Sequence, residues 1–319
     1  MMNIAILTSG GDAPGMNAAI RAVVRRGIAD GHNIWGISRG FEGLVRGQPT
    51  ALTASSVANI LMTGGTILRT SRFTGFRDPE VRAQAVQSLK QWQLDGLIVL
   101  GGNGSLTGAF ELSRAGVPVV GIPASIDNDI AETDYALGFD TAMNNIVASV
   151  DKIRDTASAH DRIFVVEVMG NRCGTLAVAA GLACGAEAII IPEVPTDFNA
   201  IEEQLKATYA RGKKHSFIIV AEGAGDAHDV AQEIARRTGQ EAKWVVLGHT
   251  QRGGPPSAQD RLMASLFADA AVHALTHGHH GVMVRSHRGE IGLVGLDQVV
   301  SGHKPVPLEW KTIAEILAR

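Results

Sequence analysis

The sequence predicts the α/β class: two doubly wound domains with mainly parallel sheets. Three observations predict it. Short apolar runs alternate with amphipathic stretches along the chain, the pattern of βα units whose strands are buried on both faces. Glycine-rich turns stand where an apolar run gives way to a helix-like stretch. The 319 residues exceed what one hydrophobic core usually encloses, so two domains are expected.

The elements follow in order. Strands are expected at 4–7, 33–37, 96–100, 119–122, 163–168, 188–191, 217–221, 245–247 and 282–284, each a strand-length apolar run. Helices are expected at 16–29, 79–90, 106–114, 141–157, 175–182, 200–210, 229–238 and 258–275, in the amphipathic stretches between them. A boundary is expected near Gly138, just before the helix that begins at Thr141. Folds of this class bind ligands at loops beyond the carboxyl ends of their strands.

Composition narrows the function. A net charge of −3 gives no basic field for nucleic acid or a membrane surface. The longest apolar runs are strand-sized, short of the roughly 18 residues of a membrane span. The chain enters a strand directly at Met1-Met2-Asn3-Ile4 with no charged leader, so a cytoplasmic protein is expected. Cys173 and Cys184 lack metal or redox spacing and read as reduced core residues.

Three loops carry the chemistry. Gly10-Gly11-Asp12-Ala13-Pro14-Gly15 and Gly101-Gly102-Asn103-Gly104-Ser105 each follow an expected strand and lead into a helix-like stretch. Glycines at such turns let backbone N–H groups approach a polyphosphate, and the helix N-terminus adds a favourable dipole. Ser125-Ile126-Asp127-Asn128-Asp129 supplies a hydroxyl and two carboxylates two residues apart. Together they suit phosphoryl transfer, which needs positioning, charge neutralisation and a base.

At these loops the chain resembles the ATP-dependent 6-phosphofructokinases of bacteria. The match runs in the family's order from Leu7-Thr8-Ser9-Gly10-Gly11-Asp12 to Leu247-Gly248-His249-Thr250-Gln251-Arg252-Gly253-Gly254. Between them lie Gly64-Gly65-Thr66, Ile126-Asp127-Asn128-Asp129, Val166-Glu167-Val168-Met169-Gly170 and Lys213-Lys214-His215. The resemblance implies a glycolytic kinase that moves the γ-phosphoryl group of MgATP to the 1-hydroxyl of fructose 6-phosphate. It also implies a nucleotide-binding domain of residues 1–138 and 251–303, and a sugar-phosphate domain of 139–250 and 304–319.

By the same resemblance, Asp127 is the base, Arg72 neutralises the moving charge, Ser125 bonds the phosphoryl group, and Asn103 and Asp129 hold Mg²⁺. Gly11, Phe73, Arg77, Gly102, Gly104, Ser105 and Gly108 line the nucleotide pocket with Arg72 and Asn103. Met169, Gly170, Glu222, His249 and Arg252 take the sugar phosphate. Arg162 and Lys243 reach it from a neighbouring subunit, which implies a homotetramer with shared sites. Arg21, Arg25, Arg154, Glu187, Arg211 and Lys213 match an effector site.

The chain departs from the family pattern in places. Asn103 stands for a usual Asp, Asn171 for a usual Arg, Lys243 for an Arg, and Ala54 for an effector-site Arg. The resemblance also implies ATP over pyrophosphate: pyrophosphate-using relatives usually carry Asp at the position of Gly104 and Lys at that of Ala124, and an acid at 104 would repel the α-phosphate. Asn103 and Asn171 motivate a second reading, a weakly active or inactive paralogue serving as a regulatory, effector-binding subunit. A third is a kinase for another ketose phosphate.

Overall fold

The computed structural model describes residues 1–213 and 215–318; Lys214 and Arg319 lie outside them. The chain divides into two compact units, Met1–Asp140 with Arg252–Lys304, and Thr141–Gln251 with Pro305–Arg319.

The first unit opens with β1 (Asn3–Thr8), α1 (Met16–Ala29), β2 (Asn33–Ile37), α2 (Gly40–Arg46) and β3 (Thr50–Leu52). It continues with α3 (Pro79–Gln91), β4 (Gly96–Gly101), α4 (Asn103–Arg114) and β5 (Val119–Pro123). Then α5 (Phe139–Ala159) carries the chain onward. The second unit holds β6 (Ile163–Val168), α6 (Thr175–Cys184), β7 (Ala188–Ile190), α7 (Phe198–Ala210), β8 (Ser216–Ala221), α8 (Ala227–Thr238) and β9 (Ala242–Val246). The chain returns to the first unit for α9 (Ala258–Thr276), β10 (Val282–His287), β11 (Glu290–Gly295) and α10 (Leu296–Ser301), and ends in α11 (Leu308–Leu317) of the second.

The larger sheet has the order β11-β10-β5-β4-β1-β2-β3. Its interior pairings are parallel, and the edges β3 and β11 pair antiparallel. Every residue of β4 and β5 is buried, as expected of parallel strands covered on both faces. The second sheet, β7-β8-β6-β9, is parallel throughout, with β8 fully buried.

The expected α/β architecture stands. The expected strand at 245–247 is corrected to β9, which starts three residues earlier at Ala242, where Lys243 breaks the apolar run. The helix expected from 106 begins at Asn103, because a glycine-rich N-terminus carries no propensity signal. Sequence reasoning missed β3, β11, α2, α10 and α11. Among the described residues, no helix is long and apolar enough to cross a membrane.

Candidate active site

In the first unit, β5, β4 and β1 are neighbours, so the loops leaving their carboxyl ends share one edge of the sheet. Backbone bonds join them: Ser9 N donates to Leu100 O at 2.9 Å, and Ala124 N to Gly101 O at 3.0 Å. Gly10 and Gly15 have φ of 88° and 95°, the left-handed region that glycine enters without a steric penalty. Thr70 Oγ1 donates to Gly10 O at 2.9 Å, and Gly10 N to Ser71 O at 3.3 Å. These bonds seat the exposed Arg72 beside the first glycine loop.

Helix ends sharpen the electrostatics. Neither α1 nor α4 carries an acidic residue in its first turn, whereas α3, α8 and α9 carry Glu80, Asp229 and Asp260 there. The helix-end positive charge at the two glycine loops is therefore open to an external anion. Gly104 has open space around its α-carbon, and Ser105 is buried with its hydroxyl beside Gly10. Gly108 instead packs against Phe41 and Phe76, where a Cβ would lie 2.8 Å from the Phe41 ring.

The acidic loop after β5 is wired internally. Ser125 Oγ accepts from Asp127 N at 3.3 Å and donates to Asp129 Oδ1 at 3.5 Å. Asn128 is buried at φ 49°; it donates to Asp134 O at 3.2 Å and accepts from Ala136 N at 2.9 Å. An Asn tolerates that backbone better than most residues, and its two bonds lock the loop with Asp127 and Asp129 on either side. Burial pushes the Asp129 carboxyl up, against lowering by a backbone bond, by Asn103 and by Ser125. Asn103 Nδ2 donates to Asp129 Oδ2 at 2.8 Å.

Sequence reasoning missed a further support. Asp260 is fully buried, and its Oδ1 accepts from Tyr135 OH at 2.6 Å and Gly138 N at 2.7 Å. Burial first, and then Asp260, drive the Tyr135 phenol well above its ordinary range. Arg252 belongs to this unit. Its guanidinium overlies Gly11, where a Cβ would lie 2.7 Å from one terminal nitrogen, and it stands 3.9 Å from Asp12.

In the second unit, the turn after β6 presents Met169, Gly170 and Asn171. Glu222 Oε1, at the end of β8, accepts from Gly170 N at 3.2 Å and Asn171 N at 2.7 Å. Gly170 and Asn171 have φ of 144° and 53°, so the turn itself accounts for Asn at 171, where an arginine would be strained. Gln251, also missed from the sequence, is buried. It accepts from Met169 N at 3.1 Å and donates to Gly248 O at 3.0 Å, tying the turn to the segment that exposes His249.

Arg162 and Lys243 are not brought to that turn. Arg162 precedes β6, whereas Met169 follows it, a span of about 20 Å along a strand. Lys243 pairs with Phe164 in the sheet register, at the same far end. Both cations converge on Glu241, at 2.8 Å from Arg162 and 2.6 Å from Lys243, and both hold its carboxyl below the usual range, Lys243 first.

Four of the expected effector residues also meet in this unit. Glu187 is buried, paired with Lys213, and accepts from Phe217 N at 2.7 Å. Arg154 lies 4.8 Å from the centre of the Phe217 ring. Arg211 and Glu187 line a cavity of about 360 Å³ with residues of α7 and Glu315. Arg21 and Arg25 lie on α1 of the other unit.

The phosphofructokinase family model matches residues 3–275. The chain belongs to the phosphofructokinase family. A relative named ATP-dependent 6-phosphofructokinase from Clostridioides difficile (strain 630) is 47% identical over 318 residues, covering 100% of both chains. One of the same name from Lysinibacillus sphaericus is 49% identical over 290 residues, covering 90% of this chain and 91% of that one. Among solved structures, Pichia pastoris phosphofructokinase in the T-state matches with a TM-score of 0.90 at 34% identity. It covers 99% of this chain, which spans 36% of that longer one. A pyrophosphate-dependent phosphofructokinase from Marinobacter aquaeolei matches in fold, with a TM-score of 0.86 at 22% identity, covering 97% of this chain and 86% of that one.

Proposed function

We propose that this chain is an ATP-dependent 6-phosphofructokinase, transferring the γ-phosphoryl group of MgATP to the 1-hydroxyl of fructose 6-phosphate. The observation that carries it is the junction of two glycine loops with the Asp127–Asp129 loop at the ends of β1, β4 and β5, in a chain whose full-length relatives bear that name.

The donor polyphosphate sits on the N–H groups around Gly11 and Gly102–Ser105, at the open N-termini of α1 and α4. Asp127, on a loop locked by Asn128, takes the proton of the attacking hydroxyl. Arg72 neutralises charge as it shifts from the transferring group to the leaving phosphate. Ser125 orients the phosphoryl oxygens. Arg252, seated on Gly11, answers the 6-phosphate of the sugar with its planar donor fork. Met169, Gly170, Glu222 and His249 hold the sugar phosphate.

The donors beside the acidic loop, the Asp129 carboxylate and the Ser125 hydroxyl, are hard oxygens, which suit Mg²⁺. Asp129 would hold that ion, which neutralises phosphate charge when bound with the nucleotide. Glu241 holds Arg162 and Lys243 at the far end of β6 from Met169. That placement supports their delivery to a second copy's site, in a cytoplasmic homotetramer. Arg154, Glu187, Arg211 and Lys213 form an effector site in the second unit, to which Arg21 and Arg25 would come from a neighbouring subunit.

A coupled assay for fructose 1,6-bisphosphate tests the reading, with ATP and pyrophosphate compared across a Mg²⁺ series. ATP-dependent turnover is expected. Turnover with pyrophosphate alone, or with neither donor, would overturn it.

A further inference from the structure

Two loops leave adjacent parallel strands, Gly101 of β4 standing opposite Pro123 of β5 in register. Across this junction Asn103 Nδ2 donates to Asp129 Oδ2 at 2.8 Å, while Oδ1 faces the Ser125 hydroxyl at 3.5 Å. The orientation of the amide follows from chemistry. A carboxylate only accepts, so the NH₂ of Asn103 must face it and the amide oxygen must point elsewhere. Asn103 is the first residue of α4, and a helix end fixes its backbone. Its side chain joins two separate loops, beside the backbone bond from Ala124 to Gly101.

We propose that Asn103 is a positioning residue for Asp129, and that the protein alone holds no divalent cation there. The inference rests on the phosphoryl-transfer reading above. The amide N–H occupies a lone-pair direction of Oδ2 and fixes the carboxylate plane, leaving the lone pairs that Ser125 and a backbone N–H do not take for a cation that arrives on the nucleotide. The amide is neutral, so the pair contributes one negative charge where two acids would contribute two. Mg²⁺ gives up its waters reluctantly and binds through one or two carboxylates together with substrate phosphates. One oriented carboxylate therefore serves a cation already carried by phosphates and is too weak to take one from solution. An acid at 103 would reverse this: two carboxylates within hydrogen-bonding distance repel one another until a cation sits between them.

The experiment compares the wild-type chain with Asn103→Asp and Asn103→Ala. Thermal unfolding is first measured in EDTA and with Mn²⁺ alone, without nucleotide. The wild-type transition should not move with Mn²⁺. That of Asn103→Asp should fall in EDTA and recover by several degrees with Mn²⁺. In the coupled assay, Asn103→Ala should lower kcat about 10- to 100-fold, the usual cost of losing a group that orients a ligand, with the KM for fructose 6-phosphate unchanged. A Mn²⁺ shift in the wild-type chain, an Asn103→Asp variant indifferent to Mn²⁺, or an Asn103→Ala variant with wild-type kcat would each overturn the inference. If no chain phosphorylates any ketose phosphate, the functional reading falls, and the Mn²⁺ shifts alone still decide the inference.

Discussion

On the proposed function, the glycine loops of the first unit and the cationic clusters of the second would each recognise a phosphate, in opposite ways. At the ends of β1 and β4 the attraction comes from backbone N–H groups and helix termini without an acid in the first turn. In the second unit Arg162 and Lys243 rest on Glu241, and Lys213 rests on the buried Glu187. The first arrangement stands ready for an anion. In the second, an anion must compete with a carboxylate already in place, which makes its affinity sensitive to salt and to whatever moves that carboxylate.

Four substitutions break or sharpen this contrast. The largest effect is expected from Asp127→Asn, which removes the proposed base while leaving the loops intact. Steady-state kinetics should show kcat reduced by about 10²- to 10⁴-fold, with equilibrium binding of fructose 6-phosphate little changed. Next is Gly101→Ala. Its methyl would lie 2.7 Å from the Ser9 carbonyl oxygen, so the loops must part at a cost of about 1–3 kcal/mol. Urea denaturation should report that loss, and ADP binding should weaken with it.

Glu187→Ala comes third. It leaves Phe217 N without its acceptor in a buried place, for about 1–3 kcal/mol, and it frees Lys213. Thermal unfolding should show the loss; added inorganic phosphate should restore part of it if the released cations then bind an anion. Smallest is Glu241→Gln. The pairs it breaks are partly exposed, so stability should change little. The salt dependence of the KM for fructose 6-phosphate should nevertheless steepen, because the cluster then meets the phosphate with one more net positive charge for salt to screen. An unchanged salt dependence would break the comparison for that cluster.

The sequence made the parts next to the strands legible. Strands 33–37 and 163–168 and helix 16–29 were expected at their observed bounds, because runs of apolar residues between turns give an unambiguous period. That the two glycine loops and the acidic loop would stand at the ends of strands was legible too, because each follows an apolar run. Antiparallel edges were not. β3 is three residues long, and half-exposed β11 alternates with glycines, so neither shows a buried run. The supporting polar residues were also hidden. Asp260, Gln251 and Glu241 lie 122, 82 and 79 residues from Gly138, Met169 and Arg162, and nothing in a local pattern says that a polar residue will be buried or who its partner is. Asn171 was read as a missing arginine, whereas its left-handed backbone supplies a reason for asparagine.

The order of the segments also bears on synthesis. The sheet of the second unit is complete once β9 has been made. The first unit, although it starts the chain, lacks β10 beside β5 and has no α9 to cover α1 until residues 252–304 appear. At ribosomal speeds of about 5–20 residues per second, that wait is on the order of ten seconds. The nascent chain thus exposes an unfinished sheet edge and a bare apolar helix face while the sheet of its middle third is already complete, and a chaperone that shields such surfaces would act in that interval.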